Sequence, residues 1–418
     1  MSNARLAARE AELRSRYERS SALHRRALQL IPGAHHLSGR PLVDPETTPM
    51  YFERGQGCRI WDVDGHGYVD YLMAFGAQLL GYAREEVDAA AASQLRRGSL
   101  LSLNHPLHLR LVEALLPRLP GAEMAAFFKT GSEATTAALR VARAHTRRKT
   151  VVRAGYHGWH DWCLPLERFV PAGLASQVLE FRASDPDSLR AVLKAHGPDV
   201  AAVILAPEMV TPFEPQIFHE LLELSRAAGA LFIMDEVKTG MRIFPGSVCR
   251  RIGLVPDLIT VSKALGNGWP LALLAGPRSI MGAAAGMHYS ATFHGDTAAM
   301  AACLETLRLV DAEGTLQHLE ALGQQLIDGL NAIARELGVK AEAYGEPLAA
   351  MPFFRFTEPD AEQRARLSRW FFREALARGA LLHPRHLWFI SGAHTAEDIS
   401  HTLTECRQAL QATLSLLS

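Results

Sequence analysis

"PDLITVSKALGNGWP", residues 256–270, sets the reading of the chain. Its apolar run Leu258-Ile259-Thr260-Val261 ends in Ser262-Lys263, and a turn marked by Gly266 and Gly268 follows. Such a run, closed by turn residues, reads as a short buried strand. A lysine at its end has a plain explanation: strand ends reach water, and the lysine stem snorkels along apolar surface. It also has a chemical one, because open α/β sheets gather functional groups at the carboxyl ends of their strands.

The flanking sequence repeats the pattern. "AEMAAFF" (122–128), "KTVVRA" (149–154), "VAAVILAPE" (200–208), "ALFIMDE" (230–236) and "LALLAG" (271–276) are short apolar runs. Helical periodicity separates several of them, as in "EATTAALRVARAHT" (133–146) and "IFHELLELSRAAG" (217–229). Alternation of this kind predicts a mostly parallel central sheet covered on both faces, an α/β fold. Upstream, residues 3–30 predict a charged helix, and "CRIWDVDGHGYVDYL" (58–72) predicts two strands joined at Asp64-Gly65. Beyond about residue 297 the chain turns helical, closing in a short α+β segment and a helix over 396–417. The expected layout is a large domain over 81–310 and a smaller α+β domain built from both chain ends, 1–80 and 311–418.

A length of 418 residues fits two domains better than one core. Lys+Arg and Asp+Glu both number 44, so no charge excess points to a nucleic acid or an anionic membrane. The five cysteines form no C-x-x-C pair and read as reduced thiols of a cytoplasmic protein. The charged N-terminus does not read as a signal peptide, and no run is long and apolar enough to predict a membrane span.

Three strand ends carry chemistry. In "FFKTGSEATTAALR" a strand runs through Gly131-Ser132 into a helix, where free N–H groups and the helix dipole suit a phosphate; a plain serine N-cap is the alternative. Asp235 closes "ALFIMDE" after a largely apolar run, so it needs a cation or a hydrogen-bond partner. Lys263 supplies an amine. A phosphate site, a buried anion and an amine together are what pyridoxal 5'-phosphate (PLP) requires. His157, His160 and Cys163 make an H-x-x-H-x-x-C spacing, but no second pair follows and no metal is expected.

With these residues stand "IPGAHHLSGR", "GCRIWDVDGHGYVDYL", "KTGSEATTAALRVARAHT", "YHGWHDW", "IMDEVKTGMR", "VSKALGNGWPLALLAG" and "ATFHGDTAAMAA". In this order they resemble the class III PLP-dependent aminotransferases, in the glutamate-1-semialdehyde aminomutase-like branch. The resemblance implies fold type I and a homodimer with shared active sites. It implies that Lys263 forms the Schiff base and Asp235 partners the pyridine nitrogen, with Val237 on one ring face and Tyr156 on the other. Gly131 and Ser132 match the phosphate loop, and Thr292 the threonine that reaches the phosphate of the neighbouring subunit. Glu208 lies near an acidic residue that the family carries beside the cofactor, in the order Pro-Glu where the family reads Glu-Pro. Arg40 matches an arginine that holds the substrate carboxylate; a surface-loop arginine is the alternative.

The resemblance implies transfer of an amino group between an amino acid or amine and a keto or aldehyde acceptor. Intramolecular transfer, as in an aminomutase, is the alternative, and a catalytically silent PLP-binding protein is a third reading. "LLHPRHLWFISGAHTAEDI" lacks the loop glutamate of aminomutases and carries Arg385, His386 and Trp388 there, which favours a transaminase on a different amine. Trp159, Trp162 and Trp388 suggest an aromatic lining, with core burial as the alternative.

Overall fold

The computed structural model of the chain describes residues 2–34, 44–49, 51–163, 170–287, 290–345 and 348–418. The chain forms two compact units. One comprises Met1–Gly76, Leu80–Arg84 and His318–Ser418, so both chain ends fold together; the other comprises Ala77–Leu79 and Glu85–Gln317.

The second unit is organised by a seven-stranded sheet. Its strands are β1 (Met124–Phe128), β2 (Thr150–Ala154), β3 (Val178–Glu180), β4 (Val200–Leu205), β5 (Leu231–Glu236), β6 (Leu258–Val261) and β7 (Ala272–Gly276). Their order is β1-β7-β6-β5-β4-β2-β3. Only β7 is antiparallel to its neighbours; the other pairings are parallel. Every residue of β4, β5 and β6 is buried, which is why these strands read as unbroken apolar runs. Helices Gly131–Thr146, Pro186–His196 and Pro215–Ala227 make the crossovers that parallel pairing requires. The first of them buries Ala134, Ala137, Ala138 and Ala142, small side chains that let its backbone approach the sheet. This topology brings the carboxyl ends of β1, β2, β4, β5 and β6 to one edge.

In the first unit the expected hairpin forms between Arg59–Asp62 and Gly67–Asp70, with Ile60 opposite Tyr68. Asp62 Oδ1 accepts from the N–H groups of Asp64 (3.0 Å) and His66 (2.8 Å), and Gly65 takes the positive φ (93°) that the turn demands. The single helix expected over 3–30 is instead two, Ser2–Arg16 and Glu18–Ala27, separated at Tyr17 (φ −114°, ψ 36°). Tyr17 is wholly buried with Leu13 and Trp370, so side-chain burial outweighs helical continuity there. Trp388 is also core: it is fully buried among Tyr71, Phe353 and Phe372 and donates Nε1–H to His383 O at 2.9 Å. Its burial corrects the suggestion that it lines a site.

Gly323, inside helix Thr315–Glu336, tests the packing of this unit. A Cβ there would lie 1.8 Å from the carbonyl oxygen of Ala349. In an open helix Gly→Ala gains about 1 kcal/mol, but overpacking costs about 1–3 kcal/mol, and here the obstacle is backbone. Gly323→Ala is therefore expected to lower the denaturant midpoint of unfolding. An unchanged or raised midpoint would mean that the backbone at Ala349 yields freely.

Candidate active site

Lys263 is placed by the end of β6. The parallel register sets Asp235 opposite Thr260 and Glu236 opposite Val261, so β5 and β6 finish together. Ser262 Oγ then donates to Leu271 O at 3.0 Å, tying the chain to the start of β7. Lys263 itself has φ of 46°, a left-handed conformation that costs a non-glycine residue about 1–2 kcal/mol. Burial, and then the ammonium of Lys238, lower its pKa to about 8. A depressed amine is uncharged near neutral pH far more often than an ordinary lysine, and the uncharged state is the one in which lysine is a nucleophile.

Asp235, only 4% exposed, is held from three sides. Its Oδ1 accepts from Thr260 Oγ1 and from Val237 N, both at 3.1 Å, and its Oδ2 lies 2.7 Å from His157 Nδ1. The other ring nitrogen, Nε2, is 3.1 Å from Ala154 O, which can only accept, so Nε2 carries a proton. The pair is thus buried and hydrogen-bonded through both ring nitrogens of His157.

His157, in the turn after β2, is the partner of Asp235. The turn itself is tightly tied. Cys163 Sγ accepts from His157 N at 2.9 Å, Thr135 Oγ1 donates to His157 O at 2.7 Å, and the Trp162 indole stacks on the imidazole at 6.1 Å. His160 Nδ1 pairs instead with Thr136 Oγ1 at 2.7 Å. Each member of the H-x-x-H-x-x-C trio therefore has a structural partner, and among the described residues no His, Cys, Asp or Glu cluster is arranged to hold a metal. Trp162 is buried, as its core alternative required, whereas Trp159 is exposed.

Glu236, next to Asp235, points the other way. Burial raises its pKa, yet its oxygens accept from the N–H groups of Val248 and Cys249, both at 2.9 Å, and from Thr239 Oγ1. It fixes the loop beyond β5 from behind.

At the end of β1 the helix cap is Thr130, not Ser132: Thr130 and Glu133 form a reciprocal capping box. Ser132 Oγ accepts instead from Trp159 N at 3.2 Å. A Cβ on Gly131 would lie 2.7 Å from Val237 Cγ1, and one on Gly158 would lie 2.4 Å from Ser132 Oγ. Both glycines are thus required by close approach, and Gly131, Ser132 and Val237 form one surface. At the end of β4, Glu208 Oε1 pairs with Lys238 Nζ at 2.7 Å, while Oε2 is buried without a hydrogen-bond partner. Tyr156 is half exposed at the end of β2 and interacts electrostatically with Lys238. Thr292 is exposed in a turn whose His294 lies 3.7 Å from Glu133 of the capping box and against the ring of Phe128. Arg40 lies outside the described residues.

These groups fit PLP. The N–H groups of a capped sixteen-residue helix and a glycine cradle suit its phosphate. A carboxylate anchored by two donors and a histidine suits its ring nitrogen, and an amine with a lowered proton affinity suits its carbonyl carbon. His157, Thr260, Lys238 and Glu236 are the members that sequence reading missed. The first two could have been flagged as polar residues at the same strand edge as Asp235.

The likeness to known proteins agrees with that fit. The profile of the family "Aminotransferase class-III" matches residues 42–342. A 3-aminobutyryl-CoA aminotransferase from Cloacimonas acidaminovorans is 33% identical over 96% of this chain and 98% of its own. A glutamate-1-semialdehyde 2,1-aminomutase from Desulfitobacterium hafniense is 33% identical over 94% of this chain and 98% of its own. The FumI protein of Sphingopyxis sp. MTA144, solved as its PLP internal aldimine form, superposes with a TM-score of 0.89 at 33% identity, covering 95% of this chain and 97% of that one. A fold-type I sheet, an amine at its carboxyl edge and a match over most of the chain have one reading: this protein belongs to the class III PLP-dependent aminotransferases.

Proposed function

We propose that the enzyme moves an amino group from an amino acid or amine to a separate keto or aldehyde acceptor, with Lys263 as the reactive amine. The carrying observation is the placement of Lys263 beside the anchored Asp235, at the carboxyl edge of the sheet, with its pKa lowered to about 8. Bound there, PLP supplies an electron sink for negative charge at the substrate carbon that bears the amine. Lys263 would hold the cofactor through its carbonyl carbon, and its Nζ would serve as the base that takes the proton from the substrate carbon bearing the amine. Asp235, oriented by His157 and Thr260, keeps a proton on the ring nitrogen. Gly131 and Ser132 hold the phosphate, Val237 and Tyr156 cover the two ring faces, and Glu208 stands nearby. Arg40 is assigned to the substrate carboxylate on the strength of its motif.

Intermolecular transfer is favoured by the 3-aminobutyryl-CoA aminotransferase likeness and by the missing loop glutamate. The similar identity to the aminomutase keeps intramolecular transfer as the second reading. We assign Thr292 to the phosphate of a second subunit in a homodimer. Support comes from the exposed apolar residues beside it: Phe293, and Leu100, Leu101 and Leu103, whose segment is tied to this region by a 2.6 Å bond from Ser99 Oγ to Asp296 Oδ1. Five buried, unpaired cysteines suit the reducing cytoplasm.

Incubation of the holoenzyme with a panel of amines should release the matching keto or aldehyde product and leave the cofactor in its amine form. If amino groups only migrate within substrates, the aminomutase reading holds instead. Borohydride reduction followed by peptide mapping should place the pyridoxyl group on Lys263. Lys263→Ala should lose more than the ~10²–10⁴-fold that removal of a general base alone costs, while still retaining PLP on gel filtration. Label on Lys129 or Lys238, or near-normal turnover of the variant, would sink the assignment. Dilution to monomer, followed by analytical ultracentrifugation, should release PLP. A monomer that keeps its cofactor would remove Thr292 from the site.

A further inference from the structure

The turn leaving β5, residues 237–240, carries a second lysine into the site. Lys238 Nζ is 2.7 Å from Glu208 Oε1, and the two side chains are 19% and 5% exposed. A Cβ on Gly240 would lie 2.6 Å from Val261 Cγ1, so this turn packs on the last residue of β6, two positions before Lys263. Glu208 comes from the short turn after β4, the strand beside β5. The pair is therefore built into the same strand edge as Asp235 and Lys263.

We infer that Lys238, clamped by Glu208, is a positioning residue whose fixed ammonium disfavours the charged form of Lys263. Two amines near one another cannot both stay charged cheaply, and the better-partnered one keeps its proton. Burial works against the charge of Lys238, but Glu208, Asp235 and Tyr156 outweigh it and raise its pKa. Lys263 faces Lys238, Glu208, Asp235 and Arg242. Burial lowers its pKa most and Lys238 next; Arg242 adds to the fall, while Glu208 and Asp235 oppose it without cancelling it. Lys238 is thus the permanent cation and Lys263 the amine that gives way.

This ordering fixes how the group makes stability depend on pH. Lys263 binds its proton with a pKa of about 8 when folded and 10.5 as an ordinary lysine, so between those values the unfolded chain holds more protons. Stability of the cofactor-free protein therefore gains from this group as pH rises through the window, and the gain is absent below it.

The inference rests on the reading of Lys263 as the reactive amine for its catalytic meaning, but the coupling is measured apart from it. Full-length protein stripped of PLP is labelled briefly with trinitrobenzenesulfonate across a pH series, and labelling of the Lys263 peptide is quantified by mass spectrometry. The wild-type midpoint is expected near 8. Lys238→Met should raise it by about 1 unit or more, because repulsion is lost and Glu208 is left unpaired. Glu208→Gln should move it down, because Lys238 then acts uncompensated, and the double variant should fall between the singles. Lys238→Arg should restore the wild-type value. Opposite displacements are not produced by a merely structural ion pair. If both single variants leave the midpoint in place, or shift it the same way, the inference is wrong. If Lys238→Met does not fold by circular dichroism, the downward shift in Glu208→Gln decides. Pyridoxyl label on another lysine of the holoenzyme would overturn the role of Lys263 without touching the measured coupling.

Discussion

The parallel register of β5 against β6 is the constraint on which the site depends. With Asp235 opposite Thr260 and Glu236 opposite Val261, the two strands end level and Lys263 follows within two residues. Successive side chains on a strand face opposite ways, so a one-residue slip would turn Asp235 away from the face that holds His157 and Thr260. The longer side chain reaches backbone donors across a loop, and the shorter one sits in the tighter setting of His157 and Thr260.

Burying charge so densely demands local compensation, since an unpaired buried ion costs several kcal/mol. Asp235 is met by an imidazole and two further donors, Glu236 by backbone and a hydroxyl, and Lys238 by Glu208. Lys263 has only the more distant pull of Glu208 and Asp235, set against two cations. The arrangement thus sets which of the ionisable groups holds its charge least firmly, and that group is the amine of Lys263. Reactivity here is the remainder left when neighbouring charges have been satisfied.

Much of this is legible in the residues. Apolar runs predict the buried strands, and the strand-end rule picks out Lys263, Asp235 and Gly131-Ser132 from the order of residues alone. What escapes are contacts between residues far apart in the chain. His157 and Asp235 are 78 positions apart, so no local spacing joins them. Nor can spacing separate Thr130 from Ser132 as the helix cap, because both are good capping residues and the choice is made by where the strand stops. Trp388 is ambiguous for a related reason: a large aromatic ring serves a core or a lining equally well. At Tyr17 local periodicity misleads outright, since burial of one ring breaks a helix that its neighbours favour.

The conformation of Lys263 shows the same hierarchy at one residue. A left-handed φ of 46° suits glycine or asparagine, and Asn267 and Gly268 occupy that region a few positions on. Local preference alone would put glycine at 263 and save about 1–2 kcal/mol. Glycine has no amine. The hydrogen bond from Ser262 to Leu271 and the packing of Gly240 on Val261 hold the chain just before the strained residue, so the strain is fixed by the surrounding sheet. On the proposed role of Lys263, a residue unfavourable for its backbone conformation stands where the reaction needs an amine.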